Sequence, residues 1–224
     1  MNSSAQRLAS ADEYAAAREN MVRSQIEARG IVQPTVLQAM RSVPRHLFVP
    51  EDHRPAAYAD HPLAIGEGQT ISQPYVVALM TQLLELRGGE KILEIGTGSG
   101  YHAAVMSRIA GSVYSIEIIP ELARRARRTL DQIGFDNVHV RHGDGYQGWP
   151  EEAPFDAIVL TAAPEEIPPP LLDQLKIGGR MVAPVGGFFQ ELKLIVKAED
   201  GIETRTVEAV RFVPMTGKAQ GPPQ

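Results

Sequence analysis

Cysteine is absent from the 224 residues. That excludes a disulfide scaffold and thiol catalysis, and it leaves the redox compartment open. No apolar run approaches the ~20 residues that a bilayer-spanning helix needs, so no membrane partner is expected. The opening segment, Met1-Asn-Ser-Ser-Ala-Gln-Arg7, lacks the apolar stretch of a secretory signal. The expected location is therefore cytoplasmic. Charge of one sign is also scarce. With 22 Lys and Arg against 27 Asp and Glu the formal net charge is −5, so a nucleic-acid surface is not expected. Aromatic residues make up only 6%, and the single tryptophan, Trp149, reads as a packing residue. What remains is an ordinary globular composition, 43% apolar, suited to one α/β domain.

The most informative segment present is Lys91-Ile-Leu-Glu-Ile-Gly-Thr-Gly-Ser-Gly-Tyr101. Ile92, Leu93 and Ile95 suit a buried parallel strand, which runs directly into a glycine-rich turn. Gly96, Gly98 and Gly100 allow a sharp turn with a ligand lying against the backbone. A helix starting near Tyr101 aims its free N–H groups at that turn. Two departures argue against a dinucleotide. The third fingerprint position holds Tyr101, and Glu94 sits two residues before the first glycine, where a pyrophosphate would be repelled. Ser112-Val-Tyr-Ser-Ile-Glu117 reads as a second strand ending in a carboxylate, placed to grip ribose hydroxyls. A ligand with a ribose and a positive charge but no phosphate fits these parts, which points to S-adenosylmethionine. Glu94 and Ser99 also have plainer explanations, as a hydrogen-bonded turn carboxylate and a helix-capping serine.

Around this unit, strands are expected at 91–95, 112–117, 137–141, 155–161 and 180–185, alternating with helices that include 120–133 and 168–175. That order implies a parallel sheet with right-handed crossovers. Residues 192–197 and 203–213 flank Asp200-Gly201, a hairpin turn signal, so the sheet should end in an antiparallel pair. The expected fold is a doubly wound, mostly parallel, seven-stranded Rossmann-like α/β sheet with an N-terminal helical region. One domain covers 1–224. Residues 1–11 are expected as a disordered polar tail, 12–88 as the helical and ligand-covering region, 89–217 as the cofactor-binding sheet and 218–224 as a loose tail. Within 12–88, helices are expected from Asp12 to about Arg29, after Pro34 and from Pro74, with a loop-rich stretch at 51–71.

Further segments narrow the reading. The glycine turn and Glu117 resemble the class I S-adenosylmethionine-dependent methyltransferases. Gly68-Gln-Thr-Ile-Ser-Gln-Pro-Tyr75 resembles the Thr-Ile-Ser-x-Pro signature of the protein-L-isoaspartate O-methyltransferases. So do Val43-Pro-Arg-His-Leu-Phe-Val-Pro50, Gly143-Asp-Gly145, Phe155-Asp-Ala-Ile158 and Phe212-Val-Pro-Met-Thr216. The resemblance runs in order over residues 20 to 217. It implies methyl transfer from S-adenosylmethionine to the free α-carboxylate of isoaspartyl residues in damaged protein. The ester then collapses to a succinimide, which can reopen as aspartate. It also implies Ser72 at the acceptor side, although Ser72 before Gln73-Pro74 equally suits a helix cap. Gln69, Thr70 and Ile71 would cover the cofactor, whose other contacts would be Glu94, Gly96, Gly98, Ser99, Gly100, Glu117, Asp144, Gly145 and Thr216. Asp144 would lie near the adenine amino group. Isoaspartyl peptides and proteins would be the partners, and the chain is expected as a monomer.

The remaining chemistry-bearing residues read as structure. Arg124, Arg125, Arg127 and Arg128 lie largely off the apolar stripe Leu122, Ala126, Leu130 and Ile133, so a solvated face is expected. His139 and His142 fall on opposite faces of a strand, which disfavours a metal pair. Tyr75 suits either the acceptor cleft or the core. Thr161-Ala-Ala-Pro164 stands where amino-group methyltransferases often carry Asn/Asp-Pro-Pro-Tyr, which argues against nucleobase methylation. Another class I methyltransferase acting on RNA or a small molecule is the main alternative.

Overall fold

The computed structural model describes residues 2–220, with side chains from Asp12 onward. The chain opens with helix α1 (Asn2–Met21), so the segment expected as a disordered tail is helical from Asn2. A π-helical stretch, Val22–Ile26, and a 3₁₀ turn, Glu27–Arg29, continue it to Gly30, whose φ of 89° ends the run at the expected stop. Helix α2 (Pro34–Ser42) and 3₁₀ turns at Arg45–Phe48 and Glu51–Ala56 follow. Within the stretch expected as loop lies an antiparallel hairpin of β1 (Leu63–Gly66) and β2 (Gln69–Ile71). Its turn holds Glu67 at a φ of 53°, between two glycines also at positive φ. Helix α3 (Pro74–Leu83) leads to the main sheet.

The sheet then alternates with helices: β3 (Lys91–Ile95), α4 (Tyr101–Ser107), β4 (Ser112–Glu117), α5 (Pro120–Ile133), β5 (Val138–His142), β6 (Phe155–Leu160), α6 (Pro169–Gln174) and β7 (Leu175–Val185). It finishes with β8 (Gln190–Ala198) and β9 (Gly201–Val210). The strand order is β5-β4-β3-β6-β7-β8-β9. The first five of these are mutually parallel, and β8 is antiparallel to both neighbours. Strand β7 begins earlier than residue 180: Leu175 pairs with Phe155, then residues 176–179 loop out before Arg180 pairs with Ala157. The C-terminal residues 217–220 form a 3₁₀ turn rather than a loose end, and 221–224 lie outside the described residues.

Period-two alternation divides the core between the two faces of the sheet. Ile92, Val113, Val159 and Val182 join one cluster with Val77 and Ala104. Leu93, Ile95, Ile158, Leu160 and Met181 join the other with Leu171. Burial on both faces explains why the parallel strands read as continuous apolar runs. The chain moves outward from β3 to β4 and β5, then returns across the sheet to β6 beside β3. That reversal opens a crevice at the carboxyl ends of β3 and β6, where open α/β sheets place their ligands.

Candidate active site

The crevice is a cavity whose floor is the turn after β3. Gly96 has a φ of 98°, and a Cβ there would collide with the Thr161 hydroxyl. That hydroxyl donates to the Ile95 carbonyl at 3.1 Å and also to that of Gly96, tying the turn to the end of β6. Gly145 is needed for a different reason: a Cβ would collide with Ile95 Cγ2. Glycine at both positions lets the backbone pack closely against Thr161 and Ile95.

Two carboxylates face the cavity. Glu117, at the end of β4, accepts the Gly98 N–H at 2.7 Å on one oxygen and the Ile119 N–H at 2.9 Å on the other. Each oxygen retains a lone pair for a hydroxyl. Glu94 is fully buried inside β3, not in the turn. Its Oε2 accepts from Ser115, whose Oγ is 2.5 Å from Thr97 Oγ1, and its Oε1 has no partner. Burial pushes its pKa up to about 8, with help from the nearby charge of Glu117 and against the Ser115 hydrogen bond and the nearby Ala103 N–H. An orphaned, buried carboxyl oxygen on a cavity wall suits a cationic ligand.

Of the residues singled out from sequence, Gln69, Thr70, Ile71, Ser72, Glu94, Gly96, Gly98, Ser99, Glu117, Gly145 and Thr216 line this one cavity. They come from five separate stretches of chain. Two others do not line it. Gly100 is the left-handed residue before α4, packed against Leu130 and Ala126. Asp144 instead accepts the Tyr146 N–H at 2.9 Å and the Lys218 N–H at 2.8 Å, clasping the C-terminal turn onto the end of β5. Ser99 Oγ accepts the Tyr101 N–H at 3.3 Å, a weak version of the capping role. Ser72 is not a cap: Gln73 holds that position, with no side-chain hydrogen bond to the helix.

Sequence reasoning missed several wall residues. Ile118, Ile119, Val213 and Pro214 carry no polar signal and enter the site only through the fold. The 211–216 stretch is held by Ala163, which accepts the Met215 N–H at 2.7 Å and donates to Val213, and by Gln190, whose amide grips both the N–H and the carbonyl of Phe212. His102 also lines the cavity; burial drives its pKa down to about 3, and its Nε2 is 3.0 Å from Thr81 Oγ1. It is a neutral, buried imidazole. Arg125 is half-buried rather than solvated: it donates to the Ile65 carbonyl and so ties hairpin β1–β2 to α5. Arg124, Arg127 and Arg128 are exposed as expected.

A second cavity adjoins the first. Thr70, Ser72, Thr161 and Val213 line both, forming a shared wall. Gln73, Tyr75 and the end of β9 line the second alone, with Arg29 stacked 3.7 Å over the Tyr75 ring.

A family model described as protein-L-isoaspartate(D-aspartate) O-methyltransferase matches residues 16–220. The chain belongs to that family. A protein-L-isoaspartate O-methyltransferase 2 from Shewanella sediminis is 56% identical over 210 residues, covering 93% of this chain and 86% of the relative. A solved protein-L-isoaspartate O-methyltransferase superposes with a TM-score of 0.83 at 31% identity, over 90% of this chain and 67% of that one. A second, from Plasmodium falciparum and solved with S-adenosyl-L-homocysteine, gives 0.77 at 26% identity, over 89% and 98%. Family membership makes this chain an enzyme, an O-methyltransferase acting on isoaspartyl residues of protein, and sets aside the RNA and small-molecule alternative. Among the described residues no helix is long and apolar enough to cross a membrane, and no group of His, Asp or Glu could hold a metal ion.

Proposed function

We propose that the first cavity takes S-adenosylmethionine, that the second takes the isoaspartyl polypeptide, and that Ser72 meets the acceptor carboxylate at their shared wall. That wall carries the reading, because a methyl group must pass between two ligands that are otherwise kept apart. The donor supplies an electrophilic methyl: a lone pair of the carboxylate oxygen forms the new C–O bond, the C–S bond breaks, and its electron pair stays on sulfur. Every other part of the task falls to the chain. Glu117 would meet the ribose hydroxyls and Glu94 the positive charge, with Gly96, Gly98 and Gly145 in the lining beside them. Gln69, Thr70 and Ile71 cover the cavity, and Ile116 to Ile119 and Thr216 close its side.

No general base is required, because a free carboxylate titrates near 4 and is already ionised at neutral pH. A neutral His102 locked to Thr81 fits that chemistry. Charge is lost as the bond forms, so holding the groups in line and excluding water supply much of the rate. Ser72 orients the acceptor. Ser72→Ala should lower turnover on an isoaspartyl peptide by about tenfold, the worth of one hydrogen bond, with calorimetric affinity for the donor preserved. Unchanged turnover would remove Ser72 from the acceptor site. The proposal includes a monomeric, cytoplasmic enzyme that works without nucleic acid, supported by the net charge of −5 on the last point. Sedimentation and cell fractionation check the first two.

A further inference from the structure

Arg45 is the largest fully buried side chain among the described residues. The 3₁₀ turn Arg45–Phe48 sends it inward, behind the loop that carries Ser72. Its Nε donates to the Ala57 carbonyl at 2.8 Å and its Nη2 to the Ser72 carbonyl at 2.7 Å. Nη1 is buried with no hydrogen-bond partner. The guanidinium carbon lies 4.8 Å from the centre of the Tyr101 ring, whose hydroxyl is turned to Met40 Sδ. Among the described residues no carboxylate forms an ion pair with it.

A buried cation without a counter-ion is costly, and proteins normally pair or remove it. Burial lowers the Arg45 pKa to about 10, with the Tyr101 hydroxyl opposing the drop, so the group remains charged at neutral pH. Arg45 does not line either cavity, but its grip on Ser72 acts on the wall between them. A trans peptide unit is planar, with its C=O and N–H pointing in opposite directions. Fixing the Ser72 carbonyl toward Arg45 therefore fixes the Gln73 N–H away from it. Gln73 lines the second cavity, and its N–H donates to no group within the described residues.

We propose that Arg45 is a positioning residue for the acceptor: it turns the Gln73 N–H toward the second cavity, and its unneutralised charge makes that corner favour an anionic carboxylate over the neutral methyl ester. The proposal rests on Ser72 marking the acceptor end of the wall. It assigns to a residue outside both cavities the discrimination between substrate and product, and it gives a reason for keeping a charge that folding would be easier without.

The test uses an isoaspartyl peptide and the same peptide with its free α-carboxylate replaced by a carboxamide, the latter as a competitive inhibitor. At saturating donor, Arg45→Met should raise the KM of the carboxylate peptide by about tenfold and change the Ki of the carboxamide peptide by less than about twofold, with the affinity for S-adenosyl-L-homocysteine also held within about twofold. Arg45→Lys, which keeps the charge but not the fork, should raise that KM by about threefold. A structural role would move KM and Ki together, and that result, or no change in either, overturns the proposal. Should Arg45→Met show no cooperative melting transition, Arg45→Gln, which removes the charge but keeps a donor for the Ser72 carbonyl, decides: an unshifted ratio of KM to Ki overturns the proposal. Ser72→Ala in the same assay separates the two readings. If it changes neither KM nor kcat while Arg45→Met shifts the ratio, Ser72 is wrongly placed and the charge effect stands.

Discussion

Glu94 shows how one residue can carry two opposed demands. In the folded protein its carboxyl has a pKa of about 8 against an ordinary 4.5, because burial penalises the charged form. Between those values the folded state holds a proton that the unfolded state has lost, so stability falls as pH rises from 4.5 through 8. His102 acts in the opposite sense at lower pH. Its pKa of about 3 against 6.5 means the unfolded state binds the extra proton, and stability rises with pH between those values. Above pH 6.5 only the Glu94 effect of this pair remains. Urea midpoints of the ligand-free protein should therefore fall between pH 6.5 and 8, and Glu94→Gln should flatten that slope; equal slopes in both proteins would mean the carboxyl is already ionised. The same substitution should weaken the sulfonium donor more than the neutral demethylated product, read by calorimetry on both. Gly96→Ala tests the cradle beside it. Strain at positive φ and the collision with Thr161 should abolish measurable donor binding while the protein still melts cooperatively. Retained affinity would show that the turn adapts.

At the scale of elements, the hairpin β1–β2 was the least legible part of the chain. Its strands are four and three residues long, and its turn is glycine and glutamate, so it carries little strand propensity. The signal that was available is the alternation of Leu63 and Ile65, both buried, with Ala64 and Gly66, both exposed. Long periodic elements were readable: α5 spans the expected 120–133 and β4 the expected 112–117, because each buries one regular pattern. The hairpin roofs the first cavity, which its Gln69, Thr70 and Ile71 line, with Ile65 fully buried beside Gly98 and Arg125 bonded to the Ile65 carbonyl. Removing that bond should free the roof without touching the ligand. Arg125→Ala should lower donor-product affinity on the order of tenfold, as for a charge-assisted hydrogen bond to a carbonyl, and should increase amide exchange over residues 63–71. Unchanged exchange there would show that the roof is held by apolar packing alone.

For the whole molecule, ligand binding and folding are linked because the first cavity draws on residues from 69 to 216 and exists only when all of them are in place. Product at a hundred times its dissociation constant adds about 2.7 kcal/mol to unfolding, which for a chain of this size is a rise of roughly 5–10 °C in melting temperature. A scan with S-adenosyl-L-homocysteine measures it, and an unshifted transition would mean that the product does not bind the folded state. The antiparallel end of the sheet serves the site as well. Strand β9 leads into the 211–216 stretch, and Gln190 at the start of β8 fixes that stretch by its amide, so the last third of the chain builds part of the wall that the two cavities share.

By itself the sequence determined the parallel pairing expected of the central strands, the glycine turn, the acids Glu94 within β3 and Glu117 at the end of β4, and the family signatures around Ser72. Each of these is a local pattern, set by residues close together along the chain. The tertiary structure decided the rest. It joined Asp144 to the C-terminal turn, took Arg125 out of solvent, buried Arg45 without a counter-ion and set two cavities against one shared wall. Those outcomes depend on which distant segments meet, and such meetings are governed by the packing of whole faces, which leaves no mark at any single position.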